Sequence, residues 1–360
     1  MNKIPTDDLL HIGVVVQDAH ASARKFARMY GITDWAVTDH TPERLKNTVT
    51  RGHAAPQHFL TATGQAQTNL GPVTIRLVEP RGGWTTYQEF LLTKGEGIHH
   101  VCTAAVDTKR MAQLETWLGK EGVGIAQSAV LPDGVREVCL DTRATLGGFY
   151  VQLLVADGER PAAKPDEVWN LGDAIPEGGP LLPLGTFQMH FGVVVNDLMA
   201  RVADWARLFG LSEWNFMNWR NAPGSLEDPE YMGKPVDHAY FTTLFSFTPL
   251  LGFEVIQPTF GPSHYKENYR NLVGEGIHHM NASMLPDAAA WKASAERLAK
   301  ADMPVVMGGG IGGGFANFYY VDTSKELGYV TEVLHPGPAW DKGPAGIHPV
   351  MSANLAPAAA

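Results

Sequence analysis

Gly274-Glu275-Gly276-Ile277-His278-His279-Met280 echoes an earlier stretch, Gly95-Glu96-Gly97-Ile98-His99-His100-Val101, and the spacing of the two copies decides the fold. They lie 179 residues apart. The same 179 residues separate His11-Ile12-Gly13-Val14-Val15-Val16-Gln17-Asp18 from His190-Phe191-Gly192-Val193-Val194-Val195-Asn196-Asp197. One offset held across two motifs means two homologous halves, residues 1–157 and 186–336. Residues 158–185 are rich in Pro, Gly and charge and read as a linker, and the Pro- and Ala-rich stretch 337–360 reads as a loose tail.

Each half divides again. Seven positions separate His11 from Asp18, His100 from Asp107 and His190 from Asp197, and eight separate His279 from Asp287. In each case an apolar strand leads to an Asp placed to cap a helix. The helical patterns put Phe26, Met29 and Tyr30 on one face, then Met111, Leu114 and Leu118. The third and fourth show Val202, Trp205, Leu208 and Phe209, then Trp291, Ala295 and Leu298. Gly31, Gly119 and Gly210 are the expected C-terminal glycines. Strand-like runs follow, among them 73–78, 137–140 and 149–155, then 239–245, 253–256, 318–321 and 329–334. The unit is strand, helix and about three strands, used four times.

Composition narrows the function. The chain is 44% hydrophobic and 18% charged, which fits a folded globular enzyme and excludes general disorder. A net charge of −10 with no basic run excludes nucleic acid as a partner. Two cysteines, Cys102 and Cys139, make neither a thiolate zinc site nor a disulfide framework. No apolar run has the length of a signal core or a membrane span, so the expectation is a cytoplasmic protein with no membrane partner. A small-molecule substrate is expected, and a homodimer is compatible with the sequence.

The register of the repeat pairs His100 with His11, and His279 with His190. Adjacent strand residues point to opposite faces, so His99 and His278 are expected to face away from their neighbours' surface. The second half adds Glu254 in Phe253-Glu254-Val255-Ile256 and Glu332 in Tyr329-Val330-Thr331-Glu332-Val333-Leu334, carboxylates in apolar strands. Two imidazoles and two carboxylates from four strands, His190, Glu254, His279 and Glu332, suit one divalent ion per chain: Zn, Mn, Co, Ni or Fe(II). In the first half the same places hold His11, Arg76, His100 and Gln152; a guanidinium there repels a cation, so that site reads as degenerate.

Taken together, these motifs resemble the vicinal oxygen chelate superfamily, which includes glyoxalase I, methylmalonyl-CoA epimerase and extradiol dioxygenases. The order Ile75-Arg76-Leu77-Val78-Glu79-Pro80, then Gly95 to His100, then Gly147-Gly148-Phe149-Tyr150-Val151-Gln152, is similar to the epimerase branch. The resemblance spans residues 8–156 and 186–336. It implies an α+β fold with four βαβββ modules, each half a curved mixed sheet around a cup. It also implies metal ligands on His190, Glu254, His279 and Glu332.

Glu254 and Glu332 are also candidate proton carriers, and His238, ahead of the Glu254 strand as His58 is ahead of Arg76, is a candidate shuttle or substrate contact. Phe216, Met217 and Trp219 are candidates to line an apolar pocket. Gly308 to Gly314 lacks a P-loop's Lys-Ser/Thr and reads as a hairpin or lid. The leading expectation is a metal-dependent isomerase or lyase that stabilises an enolate. The alternatives are an Fe(II) ring-cleaving dioxygenase using His190, His279 and Glu332, and a non-catalytic binding protein.

Overall fold

The computed structural model describes residues 2–158, 164–343 and 348–355. The chain forms two compact units, one built mainly from residues before Leu181 and the other from Leu181 onward. In the first, eleven strands lie side by side as His53–Ala54, Lys46–Thr50, Ile125–Val130, Arg136–Leu140, Tyr150–Val155, Gly97–Val106, His11–Val15, Gly71–Gly83, Gln57–Thr68, Asp34–His40 and Glu167–Asn170. In the second the order is Lys234–Pro235, Leu226–Tyr231, Val305–Ile311, Ala316–Val321, Val330–Pro336, Gly276–Met284, His190–Val194, Leu251–Phe260, Ala239–Thr248, Glu213–Arg220 and Met351–Asn354. The two orders match position by position. In both, the His-led strand sits centrally, antiparallel to the strand of paired histidines and parallel to the strand carrying Arg76 or Glu254.

Four helices follow their strands as the sequence predicts, each started by an Asp carboxylate. Asp18, Asp107, Asp197 and Asp287 accept the backbone N–H of Ala21, Arg110, Ala200 and Ala290. Gly31 and Gly210 close their helices in the left-handed conformation, at φ 74° and 69°. Gly119 does not: that helix continues to Lys120, and Gly122 takes the positive φ of 76°. The apolar faces read from the sequence are buried, with Val202, Trp205, Leu208 and Phe209 wholly inside, except that Ala295 of the fourth is half-buried.

Other elements were not visible in the pattern. Thr86–Lys94 is a helix, and His264–Arg270 is a π-helical segment at the corresponding place in the second unit. Part of the segment read as linker, Glu167–Asn170, is an edge strand on Asp34–His40, and part of the tail, Met351–Asn354, pairs with Glu213–Phe216. Residues 159–163, 344–347 and 356–360 of these two segments lie outside the described residues. The glycine run forms the end and turn of a sheet hairpin, Val305–Ile311 with Ala316–Val321. Among the described residues no helix is long and apolar enough to cross a membrane.

One irregularity recurs in both units and sets up everything at the cup. Gly192 pairs with His279 but Val193 pairs with Ile277, so His278 is an extra residue in its strand; Gly13, His100, Val14 and Ile98 repeat the arrangement around His99. A bulge breaks the two-residue alternation of side chains. The expectation that His99 and His278 face away is therefore corrected. His278 Nδ1 lies 3.0 Å from His279 Nδ1, and His99 Nδ1 lies 2.9 Å from His100 Nδ1.

Across each bulge stands a glycine whose side of the sheet is filled by imidazole. A Cβ added to Gly192 would lie 1.9 Å from His279 Cε1, and one on Gly13 would lie 1.9 Å from His100 Cε1. Neither glycine needs a positive φ; what it supplies is room. Gly192→Ala must push the ring out of the cup, and overpacking of this kind costs about 1–3 kcal/mol. Chemical denaturation of Gly192→Ala and Gly13→Ala should show losses of that order, against a neutral result if the rings were free to move aside.

Candidate metal centre

Hydrogen-bond register fixes how the two cups correspond. Gly192 lies beside Glu254 and Gly13 beside Arg76, while Glu332 pairs with Asn281 and Gln152 pairs with Cys102. His190, Glu254, His279 and Glu332 thus occupy the places of His11, Arg76, His100 and Gln152, reached from four neighbouring strands.

In the second unit the four groups converge. His190 Nε2 lies 3.1 Å from Glu332 Oε2 and 3.8 Å from Glu254 Oε2. His279 Nε2 lies 3.7 Å from Glu332 Oε2 and 3.6 Å from Glu254 Oε2. His190, His279 and Glu332 form the mutually close set, their ligating atoms all within 4.8 Å of one another. Ligands about 2.0–2.1 Å from a divalent ion stand roughly 3–3.5 Å apart, so these separations are close to those of a coordination shell.

The donor atoms also fit. Both Nε2 atoms are buried and without a hydrogen bond, although His190 Nε2 comes within 3.1 Å of Glu332 Oε2. Buried polar atoms are ordinarily partnered, and two unpartnered imidazole nitrogens aimed at two carboxylates are what a cation would satisfy. The triad could hold a divalent metal ion.

Burial and mutual charge set the electrostatics. Burial lifts Glu254 to about 7, against the pull of His190, with Glu332 adding to the rise. Burial acts the same way on Glu332, but the close approach of His190, with the charge of His279 and the hydrogen bond from Asn281, overcomes it and holds that carboxyl below its usual range. His279 is pushed down to about 3 by burial. The two carboxyls therefore differ: Glu332 is held toward its ionised form, whereas burial pushes Glu254 toward taking up a proton near neutral pH.

Neighbouring groups orient these side chains. Asn281 Nδ2 donates to Glu332 Oε2 at 2.8 Å, and Thr242 Oγ1 donates to Glu254 Oε1 at 3.0 Å, leaving Oε2 toward the imidazoles. Behind His279 runs a chain of rings. His278 Nδ1 meets His279 Nδ1 at 3.0 Å, and His278 Nε2 meets His264 Nδ1 at 2.8 Å. If His279 offers Nε2 to a metal, its Nδ1 carries the proton and donates to His278, which in turn donates to His264. In the first unit Thr86 stands where His264 does, at the start of the segment after the capping residue, and His99 Nε2 has no partner.

Aromatic rings close the wall. Tyr320 lies 4.8 Å from the His279 ring centroid, Tyr265 Oη and Tyr320 Oη are 2.5 Å apart, and Tyr240 packs on Tyr265. Burial raises all three phenols well above their ordinary value. Phe216 is buried and Trp219 packs against this cluster. His238 is not brought to the four groups: its Nδ1 meets the Pro262 carbonyl at 3.3 Å and its ring meets Tyr240.

The sequence reading missed Asn281, Thr242, His278 and His264. Asn281 had a usable signal, since it lies two residues beyond His279 on the strand, where the cup face recurs. His264 had none, because nothing in the sequence marks the turn that carries it.

In the first unit Arg76 occupies the corresponding space and forms a buried ion pair with Glu137. His11 Nε2 and His100 Nε2 lie 3.2 Å apart and face each other instead of a carboxylate.

Residues 10–139 match the family described as the glyoxalase/bleomycin resistance protein/dioxygenase superfamily. No curated protein matches the chain. Among solved structures, a triple mutant of 4-hydroxymandelate synthase from Streptomyces coelicolor is similar over 92% of this chain and 93% of that one, at 12% identity and a TM-score of 0.52. The Mn(II)-bound glyoxalase from Novosphingobium aromaticivorans covers 92% and 82% at 14% identity and a TM-score of 0.45. BphC, a halotolerant catechol dioxygenase, covers 96% and 94% at 12% identity and 0.41. The first of these likenesses is of fold, and it extends over both units. The sequence match to this superfamily thus covers most of the first unit, whose strand order the second unit repeats.

Proposed function

We propose that the second unit holds one divalent metal ion between His190, His279, Glu332 and Glu254. On this reading the protein is a metal-dependent isomerase or lyase acting on a carbonyl-containing small molecule of apolar or aromatic character. The observation that carries it is the placing of Glu254: its free oxygen stands 3.6–3.8 Å from both imidazoles, a range that also includes Glu332's 3.7 Å from His279.

A divalent ion held there supplies Lewis acidity toward a carbonyl oxygen. The chain does the rest. Glu332, anchored by Asn281, is a fixed charge. Glu254 is anchored through one oxygen only, so Oε2 is free to take a proton from the carbon next to the carbonyl. That C–H bond breaks, its electron pair moves toward the carbonyl oxygen, and the same proton returned at another face or carbon completes an isomerisation. Tyr240, Tyr265 and Tyr320 give the wall an apolar body with few charges, which excludes water and favours an aromatic or apolar substrate.

A second reading is favoured by one feature. His190, His279 and Glu332 are the mutually close set, and two imidazoles with one carboxylate are the donor set of Fe(II) ring-cleaving dioxygenases.

Three measurements separate and test these readings. Protein purified without chelator should carry one divalent ion per chain. Glu332→Gln should lose it while keeping the wild-type circular dichroism, and equal metal content in the variant would sink the site. In deuterated buffer, carbonyl substrates should exchange the adjacent proton without oxygen uptake, and Glu254→Gln should abolish the exchange while leaving metal bound. Oxygen consumption on catechols, unaffected by Glu254→Gln, would instead select the dioxygenase. Finally, His264→Thr, which installs the first unit's residue, should lower metal affinity by about 10–100-fold through loss of the ring chain behind His279. A chelator competition reads the affinity, and nitrogen-15 spectra of the metal-free protein should show His279 losing its single tautomer.

A further inference from the structure

We propose that the cup of the first unit is a binding site for a small organic carboxylate, with the Arg76 guanidinium as its charge partner. This rests on no metal and is independent of the reading of the second unit.

The cup is open. A cavity of about 470 Å³ is lined by Thr38, His40 and Thr63 on adjacent strands, by Arg76, and by Arg44 and Lys164. Ligand sites ordinarily run from about 300 to 1,000 Å³. Leu131 and Pro132 of the hairpin after Ile125–Val130 give the cavity an apolar side.

Its polar groups are unspent. Arg76 has five N–H donors in a planar fork, and among the described residues it uses one, donated from Nη1 to Glu137. Only 11% of its side chain is exposed, so solvent reaches little of what remains. His40 bonds Thr61 Oγ1 through Nε2 at 3.0 Å, while its Nδ1 is buried without a partner. Lys164 is exposed and has no ion-pair partner among the described residues, whereas Arg44 is tied to Asp166 at 2.5 Å. A flat, largely desolvated fork with free donors matches the two coplanar oxygens of a carboxylate.

The field in the cup has the right sign. Burial is the main force lowering His11, His40 and His100, and in all three the next is the positive charge of Arg76. The charge is limited, because Glu137 pairs with Arg76 and Asp133 lies in the wall. A monoanion is therefore accommodated where a phosphate dianion would meet two carboxylates.

The test uses chelator-treated full-length protein, so that no metal in the second unit can take the probe. Titration calorimetry with benzoate should give saturable one-site binding, and its neutral isostere benzamide should give none. Arg76→Gln combined with Glu137→Gln removes both buried charges together and should abolish benzoate binding. Lys164→Gln, a surface change that leaves folding intact, should weaken it severalfold. Glu332→Gln should leave it unchanged. The proposal is overturned if wild type does not bind benzoate, if benzamide binds equally, if Lys164→Gln binds as wild type does, or if Glu332→Gln loses binding. Inorganic phosphate binding more tightly than benzoate would overturn the carboxylate assignment.

Discussion

The ring of His279 lies where a Cβ on Gly192 would have to be, and the geometry of the second cup follows from that exchange of volume across two strands. The imidazole needs a flat place beside it on the sheet, and a glycine supplies one. The bulge at His278 then rotates the backbone so that two consecutive imidazoles come to the same side, the first supporting the second. Once His279 is fixed, the neighbouring strands have little choice. Glu254 beside Gly192 and Glu332 beside Asn281 are carried to within 3.6–3.7 Å of its Nε2 by register alone. The first unit repeats the glycine, the bulge and the paired rings, so this packing belongs to the scaffold and precedes any choice of ligand.

What distinguishes the cups is charge. At one pair of positions the second unit places two carboxylates, and the first places a guanidinium and an amide. Two carboxylates around two buried imidazoles form an anionic centre that is costly without a cation. A guanidinium in the same space is equally costly alone, and Glu137 partly meets it. Each cup is thus a buried charge suited to a counterpart of opposite sign: one could hold a divalent metal ion, and the occupant proposed for the other is an organic anion. The shared backbone imposes the location of the charge and leaves its sign to the sequence.

Much of this is legible in the sequence, for a physical reason. A repeat states the same constraint twice, so His11-Ile12-Gly13 and His190-Phe191-Gly192 pointed to two halves and to the candidate site residues. Asp18, Asp107, Asp197 and Asp287 revealed helix starts because a cap needs a short acceptor at one position. The faces of His99 and His278 were misread because strict alternation assumes an unbroken ladder, and a bulge leaves no mark in composition. Thr86–Lys94 was missed because Tyr87, Phe90, Leu91 and Leu92 do not gather on one face: Tyr87 is buried and Leu92 is exposed. Glu167–Asn170 and Met351–Asn354 were missed because an edge strand of four residues is held by its neighbour's backbone, which composition does not encode.

The supporting residues show why such a cup diverges by groups of substitutions. Glu332 and Asn281 are ladder partners, and the amide that anchors the carboxylate stands on the adjacent strand. Gln152 and Cys102 are the corresponding pair, and there neither side chain is an anion or an amide donor to one; Gln152 turns its Nε2 to Cys139 at 3.5 Å. A carboxylate introduced at position 152 alone would stand beside Cys102 in the ladder, without the amide donor that Asn281 gives Glu332. Conversely, Asn281 without Glu332 would bury an amide with neither end satisfied, since its Oδ1 already lacks a partner. The same holds behind His279, where His264 completes a chain that Thr86 cannot. Ligand, anchor and second ring therefore act as one unit: changing the charge at a cup requires changing the group that holds it, and the two cups have done so at each of these positions.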